Sequence, residues 1–397
     1  MPKLFSEKLV DSWQPIAAYS AGFSAIVGLF IFKLGSLTPG LSPSENAIKL
    51  SSSSVDAIWF NLVNAPYKLL EFAVIKIDAS SILGLRLISV IFAIICVFLL
   101  YYLLKTWYSL RIVILTSVLF VTSAWFLHIS RQATPEILLP LGVLIVLSFG
   151  TWFAKTTRPN LALVIGALLT SFLLYLPGFV IIVAIGGIWQ RKTLTSLLSQ
   201  TKLYTKLLLP VILMVGFSPL VWMFAHNPET LKTYVGLPVS HGIVLVDTAL
   251  NLLRVPIRIY ARGPLDWTLW LGQTALVGIF TAIMSAVGFY SYYQRRKLDI
   301  SKALGGFLLI GSVLVALDGL VNFALLMPII FFAAACGISF FLDQWLEVFP
   351  RNPVAKKTGI VIVAALVILT SLYNLDSYFT AWPNAPETKN AFSAQQQ

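Results

Sequence analysis

Charge is scarce in this chain. Asp, Glu, Lys and Arg make up 11% of its 397 residues, against roughly a quarter in soluble domains, which excludes an ordinary water-soluble globule. Cysteine is nearly absent, and both copies, Cys96 and Cys336, fall inside apolar runs, so a disulfide framework is excluded. Histidine is hardly more frequent: His128, His226 and His241 are isolated from one another. No Walker loop, no His-Glu-x-x-His and no Cys/His metal spacing occurs, so neither a metal nor a cofactor is expected. Acids are fewer than bases, 16 against 28. There is no internal repeat, and no low-complexity tract beyond the serines at 51–54.

What is abundant is apolar. Hydrophobic residues reach 58%, against about 45–50% in soluble domains, and they come in runs. Threading these runs across a bilayer gives an all-α polytopic membrane protein with about eleven spans. The runs are residues 16–34, 82–104, 110–127, 136–153, a fifth and a short sixth forming a hairpin around Leu176-Pro177-Gly178, 207–225, 267–290, 303–317, 323–342 and 358–372. Polar residues 6–14 precede the first run without a cleavage signal, so that run reads as a retained anchor. With the N-terminus in the cytoplasm, the inner loops hold most of the bases, including Lys105, Arg111, Lys155, Arg158, Arg191 and Lys192. Short basic loops stay inside, so the net charge of +12 reads as topology and not as nucleic-acid binding. Most acids fall outside. Acids contribute little to orientation, so chemistry on the outer face is one candidate cause.

Two long outer loops, 35–81 and 226–266, each contain an amphipathic stretch of the kind that lies in the membrane interface. In the first loop Glu45 follows closely on the first span, within reach of a lipid head group. A carboxylate there can take a proton from an acceptor hydroxyl, or can simply be a solvated acid or helix cap. The turn His128-Ile129-Ser130-Arg131-Gln132-Ala133-Thr134-Pro135-Glu136 joins two spans with almost no slack. Pro135 and Glu136 suit a helix start, and Arg131 either snorkels or offers its planar fork to a phosphate. In the second loop Arg254, Arg258 and Arg262 recur at i, i+4 and i+8, which puts them on one helical face. Such a basic stripe fits an anionic head group or general adhesion to anionic lipid. Arg86, at the outer start of the second span, can snorkel or hold phosphate.

These stretches resemble the GT-C superfamily of polytopic glycosyltransferases, in particular bacterial relatives of protein O-mannosyltransferases and the lipid A aminoarabinose transferase. Pro39-Gly40-Leu41-Ser42-Pro43-Ser44-Glu45-Asn46-Ala47 is similar to that family's acidic loop, with Ser44 in place of the usual first acid. Asn64-Ala65-Pro66-Tyr67 followed by Leu83-Gly84-Leu85-Arg86-Leu87 is similar to its Pro-Pro-Leu-Tyr and Gly-x-x-x-x-Arg stretch. Ser130-Arg131-Gln132-Ala133-Thr134-Pro135-Glu136 is similar to its Ser-Arg-x-Ala-x-Pro-Asp/Glu turn. Residues 322–328 and Tyr378-Phe379-Thr380-Ala381-Trp382 are similar to its C-terminal part.

The resemblance implies a seven-span catalytic module over 1–225 and a second part over 226–397 with about four further spans. It implies inverting transfer from a polyprenyl-phosphate-linked sugar to a lipid, glycan or protein acceptor on the outer face of the cell membrane. Glu45 would be the base, with Asp56 as the alternative and Glu136 as a second acid at the sugar. Arg131, Arg86, Arg254, Arg258 and Arg262 would hold the donor phosphate, and His128 and Asn46 would contact substrate. A flippase or transporter of lipid-linked sugars is the rival from another class, together with a catalytically inactive lipid-binding protein. The spans hold few mid-depth charges of the kind a coupled carrier keeps.

Overall fold

The computed structural model describes residues 19–238, 244–264, 266–268, 272–349 and 353–393. Among these the regular structure is helical. The expected cytoplasmic N-terminus, the first residues of the first span and His241 lie outside the described residues.

Helix α1 (Tyr19–Ile31) leads into the first long loop, which folds as three short helices, α2 (Pro43–Ser51), α3 (Val55–Phe60) and α4 (Ala65–Ile77). Ser42 caps α2, and Glu45 completes a capping box with it, as the Ser-x-x-Glu spacing predicts. α4 is turned inside out relative to a soluble helix: Lys68 and Glu71 are buried while Leu69, Leu70 and Ile77 are exposed. That is the pattern of a helix lying in the interface with its apolar face toward lipid.

α5 (Ile82–Trp107) is the first long span, and α6 (Leu110–Thr122) and α7 (Ala124–Arg131) form a second that bends by 59° at Ser123. Every residue of α7 from Trp125 to Arg131 is buried. The expected straight span over 110–127 is therefore broken, and its second half turns into the protein. A single 3₁₀ turn, Pro135–Ile137, then starts α8 (Leu138–Phe153).

α9 (Pro159–Leu173) and α10 (Phe179–Trp189) form the expected hairpin. Gly178 sits at φ +76 and donates its N–H to Tyr234 C=O, a left-handed backbone that glycine adopts without a Cβ penalty. α10 has 11 residues and is only about 16 Å long, short of the roughly 30 Å hydrocarbon core. α11 (Arg191–Gln200), α12 (Leu203–His226) and α13 (Thr230–Val235) follow, and α14 (Leu245–Tyr260) forms the amphipathic helix of the second loop.

Among the described residues of the apolar run at 267–290, helix begins at α15 (Ile279–Gln294). Before it, Gly263 N–H reaches Thr274 C=O, Asp266 closes a local turn onto Thr268, and Gly272 takes φ +60. These local bonds and the positive φ compete with helix there. α16 (Asp299–Ala316), a 3₁₀ turn (Phe323–Leu326), α17 (Met327–Val348) and α18 (Pro353–Asp376) complete the bundle. A Cβ at Gly288 would meet Ala333 C=O at 1.7 Å, and one at Gly337 would meet Met284 C=O at 1.9 Å. Those two glycines let α15 and α17 cross backbone to backbone, as small residues do between membrane helices.

Among the described residues six helices, or seven with the bent pair, are long and apolar enough to cross a bilayer, and α1, α9 and α10 are shorter apolar helices. The count of about eleven, drawn from apolar runs, exceeds the number that meet this length. One continuous core takes side chains from α5 to α8 and from α14 to α18. After α18 the chain forms a π-helical turn (Ser377–Ala381), a short α19 (Trp382–Asn384) and α20 (Pro386–Ser393), and this segment packs against Arg131 and His128.

Candidate functional site

Glu45 and Arg86 form a closed pair. Arg86 Nε donates to Glu45 Oε1 at 2.8 Å and Nη2 to Oε2 at 3.0 Å. Arg86 Nη2 also reaches Thr38 Oγ1 and Gly40 C=O, and Nη1 reaches Leu34 C=O. Glu45 in turn accepts from Ser42 N–H at 2.7 Å and from Ala133 N–H at 2.8 Å. Its exposure is 0% and that of Arg86 is 3%. The expectation of a surface carboxylate near a head group is corrected here. Glu45 is buried, and both of its oxygens are engaged. Burying two charges is tolerated only when geometry and further hydrogen bonds compensate for lost water, and here they do. The pair ties the first long loop to the turn before α8.

That turn is clamped further. Ser89 Oγ donates to Gln132 C=O at 2.5 Å, and Tyr67 and Ser89 share a hydrogen bond of 2.8 Å. Gln132 Nε2 donates to Thr268 C=O.

Arg131 is equally buried, at 2% exposure, but it is not satisfied. Nη2 donates to Phe32 C=O, whereas Nε and Nη1 have no hydrogen-bond partner among the described residues. The rings of Tyr378 and Phe379 lie over it with centroids 5.1 and 4.7 Å away, a cation–π cage from the C-terminal segment. Arg131 is thus held inside the protein and does not snorkel. His128, one turn earlier, is clasped between Tyr378 and Trp382 at 4.7 and 4.5 Å, and Trp382 Nε1 donates to Trp267 C=O. Asn46 is half-buried beside Glu45.

Glu136 lies in the 3₁₀ turn and is half-buried. The Asn322 side chain hydrogen-bonds it, and Asp266 is close enough to act on it electrostatically. Asp56 is exposed in the first turn of α3. The arginine stripe is only partly realised. α14 ends at Tyr260, so Arg262 falls in the loop, where it donates to Gln273. Arg254 donates to Asn251 at 3.4 Å, and α14 packs on α16. No hydrogen bond or ion pair joins these arginines to Arg131 among the described residues.

Beneath α2 sits a polar cluster that sequence reasoning missed. Ser52 Oγ donates to Glu71 Oε2 at 2.7 Å, and Lys68 Nζ donates to Asn61 C=O at 2.8 Å. Burial pushes the Glu71 carboxyl up to about 7, with the Ser52 hydrogen bond opposing. It pushes the Lys68 amine down to about 8, with the Glu71 charge opposing. The available signal was an i, i+3 Lys/Glu pair on the face opposite Leu69 and Leu70.

A helical bundle with this order of spans, short helices in the first long loop and a buried Arg/Glu pair beneath them defines a polytopic membrane fold. The fold is shared with ArnT from Cupriavidus metallidurans. In its apo state the TM-score is 0.56 at 11% identity, covering 96% of this chain and 78% of that one. In its complex with undecaprenyl phosphate the TM-score is 0.57 at 11% identity, covering 95% and 77%. The sequence matches no family model and no curated protein.

Proposed function

We propose that the protein is a membrane glycosyltransferase that moves a sugar from a polyprenyl-phosphate donor to an acceptor at the outer face. The observation that carries this reading is Arg131: a buried guanidinium with two nitrogens unpartnered, caged by two rings, at the end of the bundle where Glu136 opens toward Asn322. A buried charge that lacks partners is costly, and a phosphate would supply them in bidentate form. The neighbour of like fold that holds undecaprenyl phosphate supports a polyprenyl phosphate as that anion.

In this reading Glu136 takes the acceptor hydroxyl proton, the acceptor oxygen bonds to the sugar C1, and the bond from C1 to the phosphate oxygen breaks. The leaving phosphate carries its charge onto Arg131. Glu45 is kept for holding Arg86, because its acceptors are already engaged, and Asp56 remains the exposed alternative. Tyr378 and Phe379 must move aside for the donor to reach Arg131.

A second reading is favoured by one observation. Ser44 is exposed at the position where the resembling family carries its first acid, which suits a protein that binds the lipid without turning it over. Incubation with radiolabelled polyprenyl-phosphate sugars separates the two. Turnover that falls about 10²- to 10⁴-fold in Glu136→Gln, with donor binding retained, supports the transferase. Donor binding without turnover in the wild-type chain leaves the lipid-binding reading in its place.

A further inference from the structure

At the far end of the bundle lies a cavity of about 570 Å³, within the roughly 300–1,000 Å³ range of small-ligand sites. α5 carries Arg86 in its first turns and lines this cavity with its last residue, Trp107; Glu136 lies just before α8, whose last turns and the following Lys155 also line it. Trp107 lies 21 residues along the helix from Arg86, about 31 Å, so the cavity is a bilayer's thickness away from the site described above.

Its walls have two characters. The deep wall is apolar, from Val146, Leu147, Ile182 and Ile310. The rim is polar and basic, with Lys155 and Lys192 beside Thr151, Thr193 and Gln190. Asp299 also lines the rim, but its carboxylate pairs with Lys302 at 3.4 Å. Neither Lys155 nor Lys192 is in an ion pair among the described residues. Trp107 and Trp189 frame the opening, as aromatic side chains do at head-group depth. Small residues make the room: a Cβ built at Gly186 meets nothing within 4 Å.

An apolar interior, a rim of two unpaired lysines with hydroxyl and amide donors, and a tryptophan frame at interface depth select one kind of occupant. We propose that this cavity binds an anionic phospholipid of the basic-side leaflet, its phosphate between Lys155 and Lys192 and an acyl chain against Ile182 and Leu147. A soluble anion would have no use for the apolar wall, and a zwitterionic lipid would leave the two lysines uncompensated. This site is independent of the reading given to Arg131.

The test uses the full chain in phosphatidylcholine nanodiscs with phosphatidylglycerol carrying a photoreactive group in its acyl chain. Saturable labelling is expected within residues 146–155 and 179–193. A lysine near an anionic head group changes affinity roughly five-fold, so Lys155→Gln and Lys192→Gln should each weaken labelling about five-fold and together about 25-fold. Gly186→Phe should abolish labelling without altering charge, and Ala303→Phe does the same work if the first variant fails to fold. Removing Arg295, Arg296 and Lys297, which do not line the cavity, should change labelling less than two-fold. Labelling that survives Gly186→Phe and Ala303→Phe, or that photoreactive phosphatidylcholine reproduces equally, overturns the proposal. Competition by inorganic phosphate as strong as that by phosphatidylglycerol also overturns it, in favour of a soluble anion.

Discussion

Two arginines sit at the same end of this bundle with the same burial and opposite bonding. Arg86 has every guanidinium nitrogen engaged, most strongly by Glu45, and a full set of partners is what holds a buried charge in a finished structure. Arg131 keeps Nε and Nη1 without partners among the described residues, under two aromatic rings. Proteins rarely leave such donors unmade, because each costs its full desolvation. The contrast separates a residue that builds the site from a residue that waits for a ligand, although both read alike in sequence as an Arg at the outer boundary.

The contrast can be broken most forcefully at the pair. Glu45→Gln or Arg86→Met leaves an uncompensated buried charge and should cost about 3–5 kcal/mol, seen as a large fall in the thermal midpoint of detergent-solubilised protein. The joint Glu45→Leu, Arg86→Met variant should recover part of it. Single variants that melt like the wild type would show that the pair is not the closed unit described.

Arg131 should behave oppositely. Arg131→Met removes a buried charge that has too few partners, so the ligand-free protein should melt no lower and preferably higher than the wild type. Titration with a short-chain polyprenyl phosphate should weaken by ten- to one hundred-fold, the scale of one or two charge-assisted hydrogen bonds. Arg131→Lys should fall between, because the charge stays and the fork is lost. A lowered midpoint with unchanged affinity would make Arg131 a second structural arginine.

A smaller effect comes from the neighbouring cluster. Glu71 is raised from its ordinary 4.5 to about 7 by burial, so its stabilising contribution is complete below pH 4.5 and is lost as pH rises toward 7. Lys68 is lowered from 10.5 to about 8 by burial, so its contribution is present above 10.5 and is lost as pH falls through 8. The thermal midpoint should therefore decline by a few degrees from pH 5 to pH 7 and be flat between 7 and 8. Glu71→Gln should flatten the acid side. A midpoint that rises from pH 5 to 7 would contradict the assignment. The smallest effects are expected outside the cluster: Arg254→Ala, Arg258→Ala and Arg262→Ala should each change the polyprenyl phosphate titration less than two-fold.

Much of the fold was legible because membrane insertion is a local rule. A run of apolar residues, a Pro-Gly break at Gly178 and the cap that Glu45 offers the helix after it act within one helix or turn, and each appears where the sequence places it. The apolar run at 267–290 misled because composition alone cannot weigh the Asp266 turn and the Gly263 to Thr274 bond against helix. The arginine stripe misled in the same way, since the i, i+4, i+8 spacing of Arg262 presumed a helix that ends at Tyr260.

By itself, then, the sequence determined that the chain is a helical membrane protein, which stretches lie in the interface, and that Arg86, Arg131, Glu45 and Glu136 cluster near one boundary. Those properties follow from hydropathy, periodicity and charge bias, which are summed along the chain. Only the tertiary structure decided that Glu45 is spent on Arg86 and Ala133, that Arg131 is caged by rings some 250 residues away in sequence, and that a lysine-rimmed cavity lies at the opposite end. Those properties depend on which partners reach a given atom, and partners so distant along the chain leave no local pattern to read.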